Sequence, residues 1–212
     1  MIRHSHSERI VAIPMAALAG FVDAVAFLQL GGYFVSFMTG NTTRLGASLA
    51  EAERQAWLPA SLIALFVVGV VLGTIVRQKA TSRRPGRVMV VVTTMLLLSA
   101  VMQAFGVYWL AVAALAMAMG AENAVFERNG EVSIGVTYMT GTLVKMGQRI
   151  AGAFLGGSRT AWIWYALLWM GLALGAVLGA AAFLALGLAS TWIAAAVSAI
   201  IAMLFLTPHL DL

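Results

Sequence analysis

"MTGNTTRLG" occupies residues 38–46, and "MTGTLVKMG" occupies residues 139–147. Met, Thr, Gly, a basic residue and a second Gly recur at the same spacing, in a chain of 212 residues that is 62% hydrophobic and only 10% charged. Whether these two polar nonamers cross a bilayer or interrupt it decides the fold. Soluble domains carry about 25% charged residues. A mean hydropathy of +0.95 excludes an ordinary soluble fold and places the chain among polytopic membrane proteins. The absence of cysteine excludes a disulfide framework, thiol catalysis and a cysteine metal site. The net charge of +5 lies in the connections between apolar runs, where it reads as a topology signal and not as a nucleic-acid surface.

Outside the nonamers, six apolar segments have spanning length or nearly so: 10–30, 57–76, 88–105, 108–125, 161–184 and 190–206. A hydrocarbon core about 30 Å thick needs roughly 20 helical residues. The first segment imitates a signal peptide, with "ALA" before Gly20, but it runs on for 21 residues to Leu30 and is read as a span. The segments around the nonamers, 32–49 and 134–151, are apolar enough to enter the membrane but are broken by Thr, Gly, Asn and a basic residue. If they do not cross and residue 1 is cytoplasmic, Arg3, Arg9, Arg77, Lys79, Arg83, Arg84, Arg87, Arg128, Lys145, Arg149 and Arg159 are all inside. That leaves only Arg44 and Arg54 of the 13 basic residues outside. If both crossed, the basic 77–87 loop would become external, against the positive-inside rule. The reading is therefore an all-α polytopic membrane protein with six transmembrane helices, both termini cytoplasmic, and two short broken or re-entrant helices.

The repeat extends beyond the nonamers. "GFVDAV" (20–25) matches "GAENAV" (120–125), and "GVVLG" (69–73) matches "GLALG" (171–175), at offsets drifting from 100 to 102. Each half reads as span, short polar helix, span, span. With three crossings per half, the second half enters from the opposite face. This is a 3+3 inverted-topology repeat within one membrane domain, residues 1–212, with halves of about 10–105 and 108–206. The competing explanation is chance similarity among apolar helices, against which stands the rarity of the matched polar residues. Broken helices in a membrane survive only where protein or water satisfies their backbone. Their N-termini present free N–H groups and partial positive charge.

The stretch "GFVDAVAFLQLGGYFVSFMTGN" with "GAENAV" and "MTGTL" resembles the paired motifs of the YoaK-like membrane proteins, domain-of-unknown-function family 1275. The resemblance covers nearly the whole chain and implies a bacterial integral membrane protein of about six spans. It transfers no activity. Its second copy usually reads Gly-x-Gln-Asn, and here Glu122 replaces the Gln.

A carboxylate in the middle of a span is costly unless paired, solvated or protonated, so Asp23 is the leading functional candidate, with a hydrogen-bonded structural role as the alternative. Asn123 is its repeat mate. Thr39, Gly40 and Asn41, with Thr140, Gly141 and Thr142, mark the two breaks and serve either a bound solute or helix capping. Glu122 is a further candidate. Arg44 and Lys145 either attract an anion or snorkel to headgroups. The glycine ladders 69–73 and 171–175–179 read as close helix packing, and Gln103 as an interhelical hydrogen-bonding residue. His4 and His6 are too few and too terminal for a metal site. No His-Glu-x-x-His, Gly-x-Ser-x-Gly or phosphate-binding Gly loop is present, so no enzyme, cofactor or metal is expected. The leading reading is a small-solute transporter or permease of the bacterial plasma membrane with a central site at the repeat interface. Its partners would be the bilayer and an unidentified small solute or ion. A non-transporting scaffold is the rival reading, and whether the chain forms a homo-oligomer stays open.

Overall fold

The computed structural model describes residues 6–128 and 130–207; Arg3, His4 and His209 lie outside them. The described chain forms α1 (His6–Gln29), α2 (Met38–Ala50), α3 (Trp57–Lys79), α4 (Arg84–Ala104), α5 (Tyr108–Glu122), α6 (Met139–Phe154), α7 (Ile163–Leu186) and α8 (Ser190–Leu206). A minimal hairpin of β1 (Glu127–Arg128) and β2 (Glu131–Val132) lies between α5 and α6. Among the described residues, five stretches are long and apolar enough to cross a membrane: Ile10–Gln29, Trp57–Lys79, Arg84–Ala104, Tyr108–Phe126 and Ile163–Leu206. The last is 44 residues long and turns at Gly187–Ala189 into α7 and α8. The chain is thus an all-α membrane protein, as composition requires. Helices α2 and α6, with 13 and 16 residues, are shorter than the roughly 20 residues a bilayer core demands.

Contacts fix the direction of each long helix. Helices α1 and α7 run parallel, since Gly171, Gly175 and Gly179 face Ile13, Ala17 and Phe21 in turn. Helices α3 and α5 also run parallel. Trp57 and Trp109 meet at their starts with ring centroids 5.0 Å apart. At their ends the Arg77 guanidinium donates to the Val125 and Glu127 carbonyls, both at 2.8 Å. Helices α4 and α8 are antiparallel. Gly86 faces Leu206, the Thr93 and Ser198 hydroxyls pair at 2.8 Å, and the Thr191 hydroxyl donates to Gln103 at 3.2 Å. The interhelical role expected of Gln103 is therefore realised. The ends of α1 and α7 and the start of α5 share a cavity lined by Leu28, Tyr108, Trp109 and Phe183. Helices α1, α4 and α7 accordingly run one way, and α3, α5 and α8 run the other.

Glycine permits the tightest of these contacts. A Cβ on Gly20 would strike the Leu172 carbonyl, one on Gly175 the Ala17 carbonyl, one on Gly69 the Met117 carbonyl and one on Gly120 the Phe66 carbonyl. In lipid, where apolar side chains gain nothing by leaving solvent, such close backbone approach is what holds helices together. The same contact occurs twice. Gly175 on Ala17 corresponds to Gly69 on Met117, and Gly179 on Phe21 corresponds to Gly73 on Ala121. This corrects the expected match of 69–73 with 171–175 by one helical turn. The reason lies upstream, where α6 is longer than α2 by three residues and a longer connection follows it.

Candidate functional site

Two glycines let the chain fold back after α1. Gly31 and Gly32 hold φ of +66° and +105°, a region open to glycine and strained for other residues. The segment 33–37 then runs back along α1 as irregular backbone. Its amides need partners, and Asp23 supplies them. The Val35 and Ser36 N–H groups donate to Asp23 Oδ1 at 2.8 and 2.9 Å. Asp23 precedes the end of α1 by six residues, so at 1.5 Å per residue the segment reaches about 9 Å back inside the helix end. Fully buried Asn41, in the first turn of α2, pins the same segment from its other side. Its Oδ1 accepts from Phe34 N at 3.1 Å and its Nδ2 donates to Phe34 O at 2.7 Å.

The second half repeats the device with weaker groups. The hairpin turns at Gly130, with φ of +82°, and the Ser133 amide donates to the Phe126 carbonyl at 2.9 Å. The Thr137 hydroxyl then donates to Asn123 Oδ1 at 2.9 Å, while Asn123 Nδ2 donates to the Met119 carbonyl at 2.9 Å. Both short helices start alike: Met38 N bonds Ser36 O at 3.1 Å, and Met139 N bonds Thr137 O at 3.0 Å. The preceding residues Phe37 and Tyr138 share φ of −87°. Thr142, at the Asn41 position, donates only to the Tyr138 carbonyl of its own turn.

The two breaks meet. A cavity of about 420 Å³ is lined by Asp23, Phe34, Ser36 and Phe37 from the first half and by Thr137, Met139, Leu172 and Ala176 from the second, with Gly20, Ala24 and Phe27 completing the α1 wall. Its chemistry is one carboxylate and two hydroxyls among aromatic and aliphatic groups.

Of the residues singled out in the sequence, Asp23 reaches this cavity. Asn123 touches it through Thr137, and Asn41 through Phe34. Thr39 and Thr140 are exposed on the short helices, and the space beside Gly141 is open. Gly40 lies against the Phe34 and Phe37 rings. Arg44 does not extend away from the fold: its guanidinium stacks on the Tyr33 ring at 4.9 Å and closes over Gly32. Lys145 is exposed. Glu122 is fully buried, lies away from the cavity, and has no hydrogen-bond partner for either carboxylate oxygen among the described residues. Ser36 and Thr137 were missed, although a signal was present. The repeat begins three residues before the nonamer, with "VSF" (35–37) matching "VTY" (136–138), and both valines are fully buried.

A family model described as "Protein of unknown function (DUF1275)" matches residues 11–204. The chain belongs to this family. It is 31% identical over 177 residues to the UPF0700 transmembrane protein RA0705 of Rhizobium meliloti, covering 83% of this chain and 76% of that one. It is 30% identical over 147 residues to the UPF0700 transmembrane protein YoaK of Bacillus subtilis, covering 63% of each. No solved structure matches it. The DUF1275 match takes in both breaks, Asp23, Asn123 and the cavity between them, so the whole constellation lies within the family's shared region.

Proposed function

We propose that the protein is a small-solute transporter or permease of the bacterial plasma membrane, without enzymatic activity. In this reading the chain has six spans and cytoplasmic termini, and its halves form a 3+3 inverted-topology repeat. The observation that carries it is the single cavity lined by Asp23 and Ser36 from one half and by Thr137 and Met139 from the other. Broken helices meeting at a repeat interface are the usual site of substrate and coupling ions in secondary transporters. The alternating directions of α1, α3, α4, α5, α7 and α8 support six crossings, with α7 and α8 as separate spans. The recurrence of the α1–α7 contacts in α5–α3 supports the inverted halves. The cluster Arg77, Lys79, Arg83, Arg84 and Arg87 gathers at the end where α3 finishes and α4 starts, which supports a cytoplasmic assignment of that end.

The rival reading is a membrane scaffold. It is favoured by the use of Asp23, Asn41 and Asn123 as hydrogen-bonding groups within the protein. Reconstituted vesicles separate the two. A transporter loses pH-dependent solute flux in Asp23→Asn, because the amide binds no proton. A scaffold leaves wild type and variant equally without flux while both remain folded.

A further inference from the structure

The transporter reading leaves open what enters the cavity, and the following rests on that reading. Asp23 brings a carboxylate to the wall, and none of the residues lining the cavity is cationic. The bonds to Oδ1 come from the neutral amides of Val35 and Ser36. Three phenyl rings, Phe27, Phe34 and Phe37, share the wall with it. The first two have centroids 5.1 Å apart, and Phe34 and Phe37 meet edge-on at 5.2 Å. Ring faces carry partial negative charge and attract cations, more strongly where water is excluded.

The opposing feature is the pair of short-helix N-termini, each worth about half a positive charge. Asp23 already accepts the Val35 and Ser36 amides, two residues before α2 starts at Met38. A carboxylate with three rings outweighs these partial charges. An inorganic cation would want a shell of oxygen ligands, whereas this wall is mostly hydrocarbon. The volume of about 420 Å³ lies within the range of small-molecule pockets.

We propose that the cavity binds an organic cation: an ammonium group set against Asp23, carrying an apolar body that lies among Phe27, Phe34 and Phe37.

The test is calorimetric titration of the purified full-length protein in detergent with three single-ring probes of different charge: benzyltrimethylammonium, benzyl alcohol and benzoate. The cation should bind, with the alcohol weaker by about tenfold or more and no benzoate binding. Asp23→Asn should lower cation affinity by about tenfold or more, and Phe34→Leu by about threefold to tenfold. Both should weaken the cation by a larger factor than they weaken the alcohol. If Asp23→Asn fails to give monodisperse protein, Phe34→Leu decides alone, by whether it weakens the cation selectively. Equal binding of cation and alcohol, preference for benzoate, or full cation affinity in the variants overturns the assignment. Benzoate binding with Asp23-dependent flux of an anion would overturn the cation class and leave the transporter reading standing. No binding of any probe together with no flux removes both.

Discussion

Asp23 and Asn123 stand at the same place in two copies of one motif, yet they hold the chain differently. Asp23 accepts two backbone amides through one oxygen, whereas Asn123 accepts one hydroxyl. Asp23→Asn keeps an acceptor where Val35 and Ser36 need it. It should give protein with melting temperature close to wild type. Asp23→Ala leaves two amides without their acceptor, at about 1–3 kcal/mol each where they are buried, and should melt well below the amide variant in a detergent thermal scan. Equal melting of the two would remove Asp23 from the support of segment 33–37. The same logic separates Asn41 from Thr142. Asn41 makes two bonds to Phe34 of the irregular segment, whereas Thr142 bonds only its own turn. Asn41→Ala should therefore destabilise more than Thr142→Val. Glu122 is the reverse case. A buried carboxylate without a described partner costs stability, so Glu122→Gln should leave the melting temperature unchanged or raise it. A marked fall would reveal a partner for the carboxylate.

At the scale of elements, the glycines divide into two kinds that look alike in sequence. Gly175 carries the backbone contact between α7 and α1, and an added Cβ meets the Ala17 carbonyl. Gly46, in the conserved spacing of the internal repeat, has nothing within 4 Å of an added Cβ. Gly175→Ala should thus force α1 and α7 apart, costing about 1–3 kcal/mol or more. Gly46→Ala should stabilise α2 by about 0.5–1 kcal/mol, because alanine loses less backbone entropy in a helix. Parallel thermal scans of the two variants check this, and a Gly175→Ala protein as stable as wild type would contradict the close-packing account. The break before each short helix is likewise an element-level property. In residues 33–37 the Asp23 side chain of α1 accepts two amides in place of helical partners, and in residues 134–138 the Thr137 hydroxyl is held by Asn123, just past the end of α5.

At the scale of the molecule, opposed helix directions make the topology testable. The connection from α3 to α4 and the turn from α7 to α8 lie at opposite ends, and the chain has no cysteine to interfere. Single cysteines at the exposed positions Ser82 and Ala189 should react with a membrane-impermeant maleimide from opposite sides of the membrane, with Ala189 labelled in intact cells and Ser82 only after lysis. Labelling of both from one side would overturn the six-span reading. The basic residues match this polarity, although not all are free topological charges. Arg77 closes onto the Val125 and Glu127 carbonyls just past α5, so it also ties α3 to the segment that follows α5.

The amino-acid sequence by itself determined the membrane class, the long helices and the two interruptions. Lipid accepts only backbone that satisfies itself within a long apolar helix, so departures from that pattern are visible in one dimension. It also revealed that the interruptions are two copies of one motif, with Asp23 and Asn123 as mates. Only the tertiary structure decided which residues those mates hold, Ser36 and Thr137 among them. It likewise set the one-turn register of Gly69 and Gly73 against Gly175 and Gly179, turned Arg44 onto Tyr33, and closed Glu122 into the core. Each of these depends on a partner on another segment, often distant in the chain, and hydrogen-bond geometry and steric fit between segments leave no periodic trace in either one. The cavity is the extreme case. It exists only because two breaks about a hundred residues apart meet beside α1 and α7, which complete its wall.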